Sequence, residues 1–418
     1  MAEIKLGYGN SQVSLEFDEA RFAVLGGTRV LPALSDVEIG AALDSPTGSP
    51  PLEDIVGAGE SVLLVVPDAT RATASGQIVN LLTRRLIANG TAPFDIRIIF
   101  ATGIHRAVTA EEKKDLLTPF ITQRIKTLDH NPRDLTQLAR VGETPRGAVV
   151  ELNRALLEHD HVIIIGGVTW HYFAGFTSGR KLICPGLAAS KTINQTHKPA
   201  FDCETHERRE GVGVGRLDGN VVHEEFEAAA GLTNISFAVN TIVDDAGRAA
   251  RVFAGDWRAS HRAACKFYAA NFSLPITEKR DAVIVSCGGA PHDINLIQAH
   301  KALEMASYAC KEGGTIVWLA ECRDGFGRKD FPDWFAAGTS RELAKRLCEK
   351  YQVNGQTAWT LLDKAERFRV VLISALPEEK TRRMKLHTAR DLESALAEIS
   401  PASTGYILPY GAKYLLGM

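Results

Sequence analysis

Short apolar runs rich in β-branched residues recur along this chain between segments of helical character, and that alternation constrains the fold more than any other feature. Residues 61–66 (SVLLVV), 95–100 (DIRIIF) and 161–165 (HVIII) are three such runs; 281–286 (DAVIVS), 315–320 (TIVWLA) and 369–374 (RVVLIS) are three more. Continuous apolar runs of this length read as strands buried on both faces, the habit of parallel sheets flanked by helices. The pattern predicts an α/β protein made of two α/β domains with largely parallel sheets. By contrast, 4–6 and 13–17 alternate apolar and polar residues, which suits an antiparallel edge feature covering one face.

A length of 418 residues allows two or three domains. A break near Pro275 is expected, because Leu274-Pro275 precedes Thr277, Glu278 and Lys279 and then a fresh strand. The division expected is 1–272 for an N-terminal domain, to which the segment from about 400 to 418 returns, and 276–399 for a C-terminal domain. With 48 basic and 50 acidic residues the formal charge is 48 − 50 = −2. Nucleic acid and anionic membranes, which need clustered Lys and Arg, are therefore excluded as expected partners, and a small molecule is favoured. No apolar run approaches a bilayer span and no basic segment leads into an apolar stretch at the N-terminus. The seven cysteines, at 184, 203, 265, 287, 310, 322 and 348, form no CxxC pair, so neither a zinc site nor a disulfide frame is expected. A reducing cytoplasm fits that usage.

In doubly wound sheets ligands sit beyond the carboxyl ends of strands. The first run is followed by Asp68-Ala69-Thr70-Arg71, the second by Ala101-Thr102-Gly103-Ile104-His105, and the third by Gly166-Gly167-Val168-Thr169-Trp170-His171. Asp68 taken alone reads as a helix cap. Two histidines at equivalent crossovers beside Arg71 read as chemistry. The densest stretch is 171–197, HYFAGFTSGRKLICPGLAASKTINQTH, whose Thr177, Ser178, Gly179, Arg180 and Lys181 suit a phosphate without forming a GxxxxGK[ST] loop. Cys287 to Lys301 opens a helix with Asp293 as expected cap, and Gln298 and Lys301 share one face and could hold a carboxylate. His159-Asp160-His161 and His223-Glu224-Glu225 lack metal-site spacing and read as surface features, and Asp324-Gly325-Phe326-Gly327 reads as a turn. No GxGxxG supports a dinucleotide dehydrogenase, and no GxSxG supports a hydrolase built on Ser178 or Cys184.

The D-x-T-R at Asp68 to Arg71, the ATGxHR around His105, the HYFAGFxxGRKLxxPG from His171, the NxxxH ending at His197 and the GGxPxDxNLxQxxK from Gly288 to Lys301 together resemble the nickel-pincer lactate racemase family. The resemblance implies an isomerase, a racemase or epimerase that inverts C2 of a 2-hydroxy acid in a cleft between its two domains, the second closing over the substrate. It implies a nickel-pincer nucleotide tethered covalently at Lys181, with His197 as the metal ligand and Thr70, Thr177, Ser178, Gly179 and Arg180 around the cofactor. His105 and His171 match the paired proton carriers, with Asp68 orienting a histidine or arginine. Arg71, Gln298, Lys301 and Trp359 match substrate contacts. Cofactor-making and nickel-inserting proteins are the implied partners, without which the chain would be in its apo form. Ala69 and Ala72 stand where the family pattern DHTRP has His and Pro, and FTSGRK stands for FSGGRK, so the identity of the 2-hydroxy acid is left open. The alternative reading is a carrier or sensor that binds the nucleotide without turnover; it has no use for both His105 and His171.

Overall fold

The computed structural model describes residues 1–27 and 31–417. They fall into two compact units: 31–200 with 210–271, and 1–27 with 201–209 and 272–417.

The first unit is built on a six-stranded sheet in the order Ala249–Gly255, Ile235–Val243, His161–Gly167, Val62–Pro67, Ile96–Ala101, Lys126–Asp129. All neighbours are parallel except Ala249–Gly255, which runs antiparallel to Ile235–Val243. Every residue of Val62–Pro67 is buried, as expected for a central strand covered on both faces. Helix Ser75–Ala88 lays Ile78, Val79, Leu82 and Leu86 onto the sheet core, the spacing of one helical face. The strand order reverses between Val62–Pro67 and His161–Gly167, which makes their carboxyl ends the switch point where α/β sheets bind ligands.

The second unit has a fully parallel six-stranded sheet: His387–Ala389, Arg369–Ile373, Cys310–Leu319, Arg280–Ser286, Gly405–Leu408, Phe22–Val24. An antiparallel pair, Ala2–Tyr8 with Ser11–Phe17, buries Leu6, Leu15 and Phe17 in the core on one face of this sheet, as the alternating pattern suggested. Helix Leu296–Ala309 starts at Asn295, whose side chain accepts from the Gln298 N–H, so Asn295 and not Asp293 is the cap. Asp293 Oδ2 instead accepts from the Gly9 and Glu321 N–H groups.

Two expected boundaries need correction. Gly405–Leu408 pairs with Arg280–Ser286 and with Phe22–Val24, so both chain ends belong to the second unit and the last segment does not return to the first. Gly405–Leu408 lies inside the sheet, with one partner from the middle of the sequence and one from near its start. The chain also leaves the first unit for 201–209, which forms a short hairpin, Phe201–Asp202 with Glu207–Arg208, in the second. There Cys203 is disulfide-bonded to Cys348 across 145 residues, contrary to the expectation of no disulfide.

Candidate active site

Adjacent strands bring the three strand-end segments together. After Val62–Pro67, Asp68 is buried and its Oδ1 accepts from Thr70 N–H at 3.0 Å and Thr70 Oγ1 at 2.5 Å, so it closes a local turn and caps no helix. Its Oδ2 lies 2.7 Å from His105 Nδ1, brought from the end of Ile96–Ala101. Burial works against ionisation of Asp68, but the hydrogen bonds from His105 and Thr70 and the charge of Arg71 outweigh it and hold the carboxyl below its usual range. A carboxylate at Nδ1 fixes the neutral His105 with its proton on Nδ1 and a lone pair on Nε2. The His105 side chain is 42% exposed, so that lone pair is open to a reactant. Arg71 is half-buried nearby; burial pulls its pKa down and Asp68 opposes the shift.

His171 stands the other way round. It lies in the hairpin of Trp170–His171 with Ala174–Phe176, and the Phe173 and Ala174 N–H groups donate to its Nδ1 at 3.5 and 3.2 Å. With Nδ1 turned to these backbone donors, Nε2 is the atom that lies 3.3 Å from Lys181 Nζ. Lys181 also lies over the rings of Phe173 and Phe226, 5.6 and 4.9 Å from their centroids.

His197 ends helix Ser190–His197. Its ring packs against the same Phe173 and Phe226, at centroid distances of 5.2 and 4.7 Å. Nδ1 donates to the Ile193 carbonyl at 2.6 Å, so Nε2 carries the lone pair. Burial, reinforced by the nearby Lys181, pulls its pKa down to about 3 and keeps the ring neutral. A neutral imidazole oriented by a backbone carbonyl is the usual form of a metal-ligating histidine. Among the described residues no group of three or more His, Cys, Asp and Glu side chains is placed to hold a metal.

The turn before Lys181 is braced from within. The Thr177 hydroxyl donates to the Gly167 carbonyl at 2.7 Å and accepts from the Thr169 N–H at 2.8 Å, and the Ser178 hydroxyl donates to Asn240 Oδ1 at 2.7 Å. Arg180, 1% exposed, donates to the Ala174 carbonyl and meets the His261 ring. These side chains, and the Thr70 hydroxyl held by Asp68, are committed to the protein itself. Cys184 is buried with its thiol pushed up to about 12, which leaves no nucleophile for hydrolysis there.

In the second unit Gln298 Oε1 accepts from Lys301 Nζ at 2.6 Å, so the two share a helix face as expected. Trp359 packs edge-on against Phe201 at 5.2 Å in the core of the second unit. His223 is buried and pairs with Glu227, and His161 is largely buried and pairs with Glu60; neither is the surface feature expected. Sequence reasoning missed Phe173, Phe226, Asn240 and His261. Phe173 lay inside a motif already singled out, whereas Phe226 looks like any apolar helix position.

The chain matches the lactate racemase N-terminal domain over residues 8–208 and the lactate racemase C-terminal domain over residues 276–404. It belongs to the lactate racemase family. It is 32% identical over 336 residues to the lactate racemase of Lactiplantibacillus plantarum, covering 79% of this chain and 77% of that one. With the lactate racemase of Thermoanaerobacterium thermosaccharolyticum it shares 29% identity over 340 residues, 80% of this chain and 78% of the relative. The structure of that bacterium's lactate racemase apoprotein superposes with a TM-score of 0.89 at 26% identity, covering 100% of both chains. A crystal structure of a Thermotoga maritima protein, 19% identical with a TM-score of 0.69 over 94% of this chain and 99% of the other, shares the fold. Membership makes the chain an isomerase of the racemase type. No described helix is long and apolar enough to cross a membrane.

Proposed function

We propose that the chain inverts C2 of a small 2-hydroxy carboxylate, lactate or a close relative, using a nickel-pincer nucleotide held at Lys181 and His197. The observation that carries this reading is a pair of histidines held in opposite ways: Asp68 accepts from His105 Nδ1 and leaves Nε2 open, while His171 Nδ1 accepts from backbone N–H groups and its Nε2 lies beside Lys181. Inversion of a carbinol carbon through a planar keto acid needs one group to take the hydroxyl proton and one to return it, and the requirement swaps when the opposite enantiomer enters. Two imidazoles, each able to take or give one proton, meet it.

The residues present fit the cofactor. His197 is neutral and oriented, and among the described residues it belongs to no group of three or more protein ligands, so one imidazole beside softer non-protein donors would suit nickel. Lys181 lies between aromatic faces and His171, where a tethered group would sit beside His171 and His197. When bound, the group supplies a reversible hydride acceptor for C2. The chain's own residues do the rest. His105 takes the hydroxyl proton, Asp68 fixes its ring and stabilises the imidazolium, and His171 returns a proton from Nε2. Of the substrate contacts proposed from the family pattern, Arg71 in the first unit offers a planar guanidinium suited to a carboxylate, and Gln298 and Lys301 in the second offer two polar groups on one helix face, with Trp359 in the same unit. With the hydroxyls of Thr177 and Ser178 committed, contacts to the nucleotide at Ser178 and Gly179 fall to their backbone. Partner proteins that make the cofactor and insert nickel belong to the proposal, as does a cytoplasmic site of action. A carrier without turnover would leave the Asp68–His105 pair unused.

The test is conversion of single-enantiomer 2-hydroxy acids by nickel-loaded protein, followed by chiral chromatography. Drift of at least one substrate towards an equal mixture is expected, with His105→Ala and His171→Ala both strongly impaired. A nickel-loaded protein that leaves every 2-hydroxy acid optically pure would refute the activity.

A further inference from the structure

The excursion 201–209 lies between two parts of the candidate site: it begins four residues after His197 and is followed by helix Val221–Ala230, which carries Phe226. Three contacts fix it within the second unit, each to a different helix. Phe201 packs on Trp359 of Val353–Arg367 at 5.2 Å, Cys203 is bonded to Cys348 of Ser340–Glu349, and Arg208 pairs with buried Glu304 of Leu296–Ala309 at 2.7 Å. Two of these are noncovalent and permanent, one a packed ring pair and the other a buried ion pair. The third is a covalent bond that can be opened.

Its setting differs from that of every other cysteine. Cys203 is exposed and Cys348 is half-buried, so an attacking thiolate can reach the bond. Cys184, Cys265, Cys287, Cys310 and Cys322 are all buried. Burial pushes the thiols of Cys184, Cys265, Cys310 and Cys322 up to about 12 and that of Cys287 well above its ordinary value. Such thiols are poor nucleophiles at neutral pH, so disulfide exchange is confined to one pair.

We infer that the Cys203–Cys348 disulfide is a redox-responsive clasp: formed, it pins the hairpin that leads out of His197; opened by a dithiol reductant of the thioredoxin class, it frees the hairpin tip and loosens that end of the cofactor site. The reductant gives two electrons and two protons, the S–S bond breaks to two thiols, and the reductant becomes its own disulfide. The role of His197 in this inference rests on the function proposed above, but the clasp does not.

Three readouts on the full-length protein separate them. Alkylation of native protein with iodoacetamide, read by peptide mass, should modify Cys203 and Cys348 only after dithiothreitol treatment. Limited trypsinolysis should then cut after Arg208 or Arg209 at least about tenfold faster in the reduced than in the oxidised protein, because losing a cross-link over a long loop releases local opening. Cys348→Ser should reproduce the reduced behaviour, and Cys203→Ser serves as the second variant should the first fail to fold. In nickel-loaded protein challenged with a chelator, nickel loss should be several-fold faster after reduction. Cysteines 203 and 348 open to alkylation without reductant, or equal cleavage in the two states, would overturn the clasp. Faster cleavage with unchanged nickel loss would overturn its link to the site. Protein that never binds nickel yet shows the alkylation and cleavage differences would count against the cofactor reading and leave the clasp standing.

Discussion

Replacing Asp68 by Asn changes one atom and should remove most of the activity, for reasons that can be followed donor by donor. In the parent, Oδ1 accepts twice from Thr70 and Oδ2 accepts from His105 Nδ1. Asparagine keeps one oxygen, which the two Thr70 donors hold, so its NH2 faces His105 Nδ1. Two donors cannot share that contact, and the ring relieves it by moving its proton to Nε2. His105 then presents a proton where the mechanism needs a lone pair. Opposing the tautomer change costs about 1–3 kcal/mol, and the lost charge-assisted bond to the imidazolium about 1.5–3 kcal/mol more. At about 1.4 kcal/mol per tenfold, the rate should fall roughly 10²- to 10⁴-fold, within the usual contribution of a general base. The assay is the initial rate of enantiomer interconversion by nickel-loaded protein, with nickel content measured in the same sample. The variant should also unfold differently in acid. The folded-state pKa of Asp68 is depressed, so its contribution to stability is present above the unfolded value of about 3.9 and is lost as pH falls through the folded value. The variant should therefore be less stable than the parent at neutral pH, with the gap closing in strong acid. A loaded Asp68→Asn protein within about threefold of the parental rate would refute the assignment of His105 as the base set by Asp68.

Two further outcomes follow from buried groups. Glu304 is buried between Arg208 and Lys364 with the Tyr308 hydroxyl on it, and although burial opposes ionisation these neighbours hold its pKa well below the carboxylate range. Glu304→Gln should cost about 3–5 kcal/mol in urea unfolding at neutral pH, because two cations lose their buried counter-charge, and the difference should shrink as pH falls below about 4. Gly179 has φ +54°, and a Cβ there would meet the His261 ring at 2.7 Å, so Gly179→Ala strains the turn that presents Lys181 by about 1–3 kcal/mol. Reduced cofactor attachment with an intact fold, seen by mass and circular dichroism, is the expected result.

Three strands of each six-stranded sheet were legible because each is a continuous apolar run, and a run buried on both faces announces itself locally. Asp68, His105 and His171 were legible for the same reason: they sit at fixed places just beyond such runs. What local pattern could not give was partnership. Phe22–Val24 and Gly405–Leu408 are short segments from opposite ends of the chain, and only the finished sheet shows that each completes the other. The hairpin at 201–209 and the bond from Cys203 to Cys348 are likewise products of chain path, invisible in cysteine spacing. Thr177 and Ser178 illustrate a different limit. Their hydroxyls suit a phosphate by type, but type does not say whether a Gly167 carbonyl or Asn240 already holds them.

Lys181 and His197 are the proposed holders of a nickel-bearing nucleotide. Intact and peptide mass with nickel content, on protein co-expressed with a cofactor-making and nickel-inserting system and compared with protein expressed alone, tests that proposal most directly. An adduct on the Lys181 peptide with near-stoichiometric nickel is expected, absent from the protein expressed alone and with nickel lost in His197→Ala. No adduct and no nickel, while a lactate racemase relative loads normally in the same cells, would contradict it.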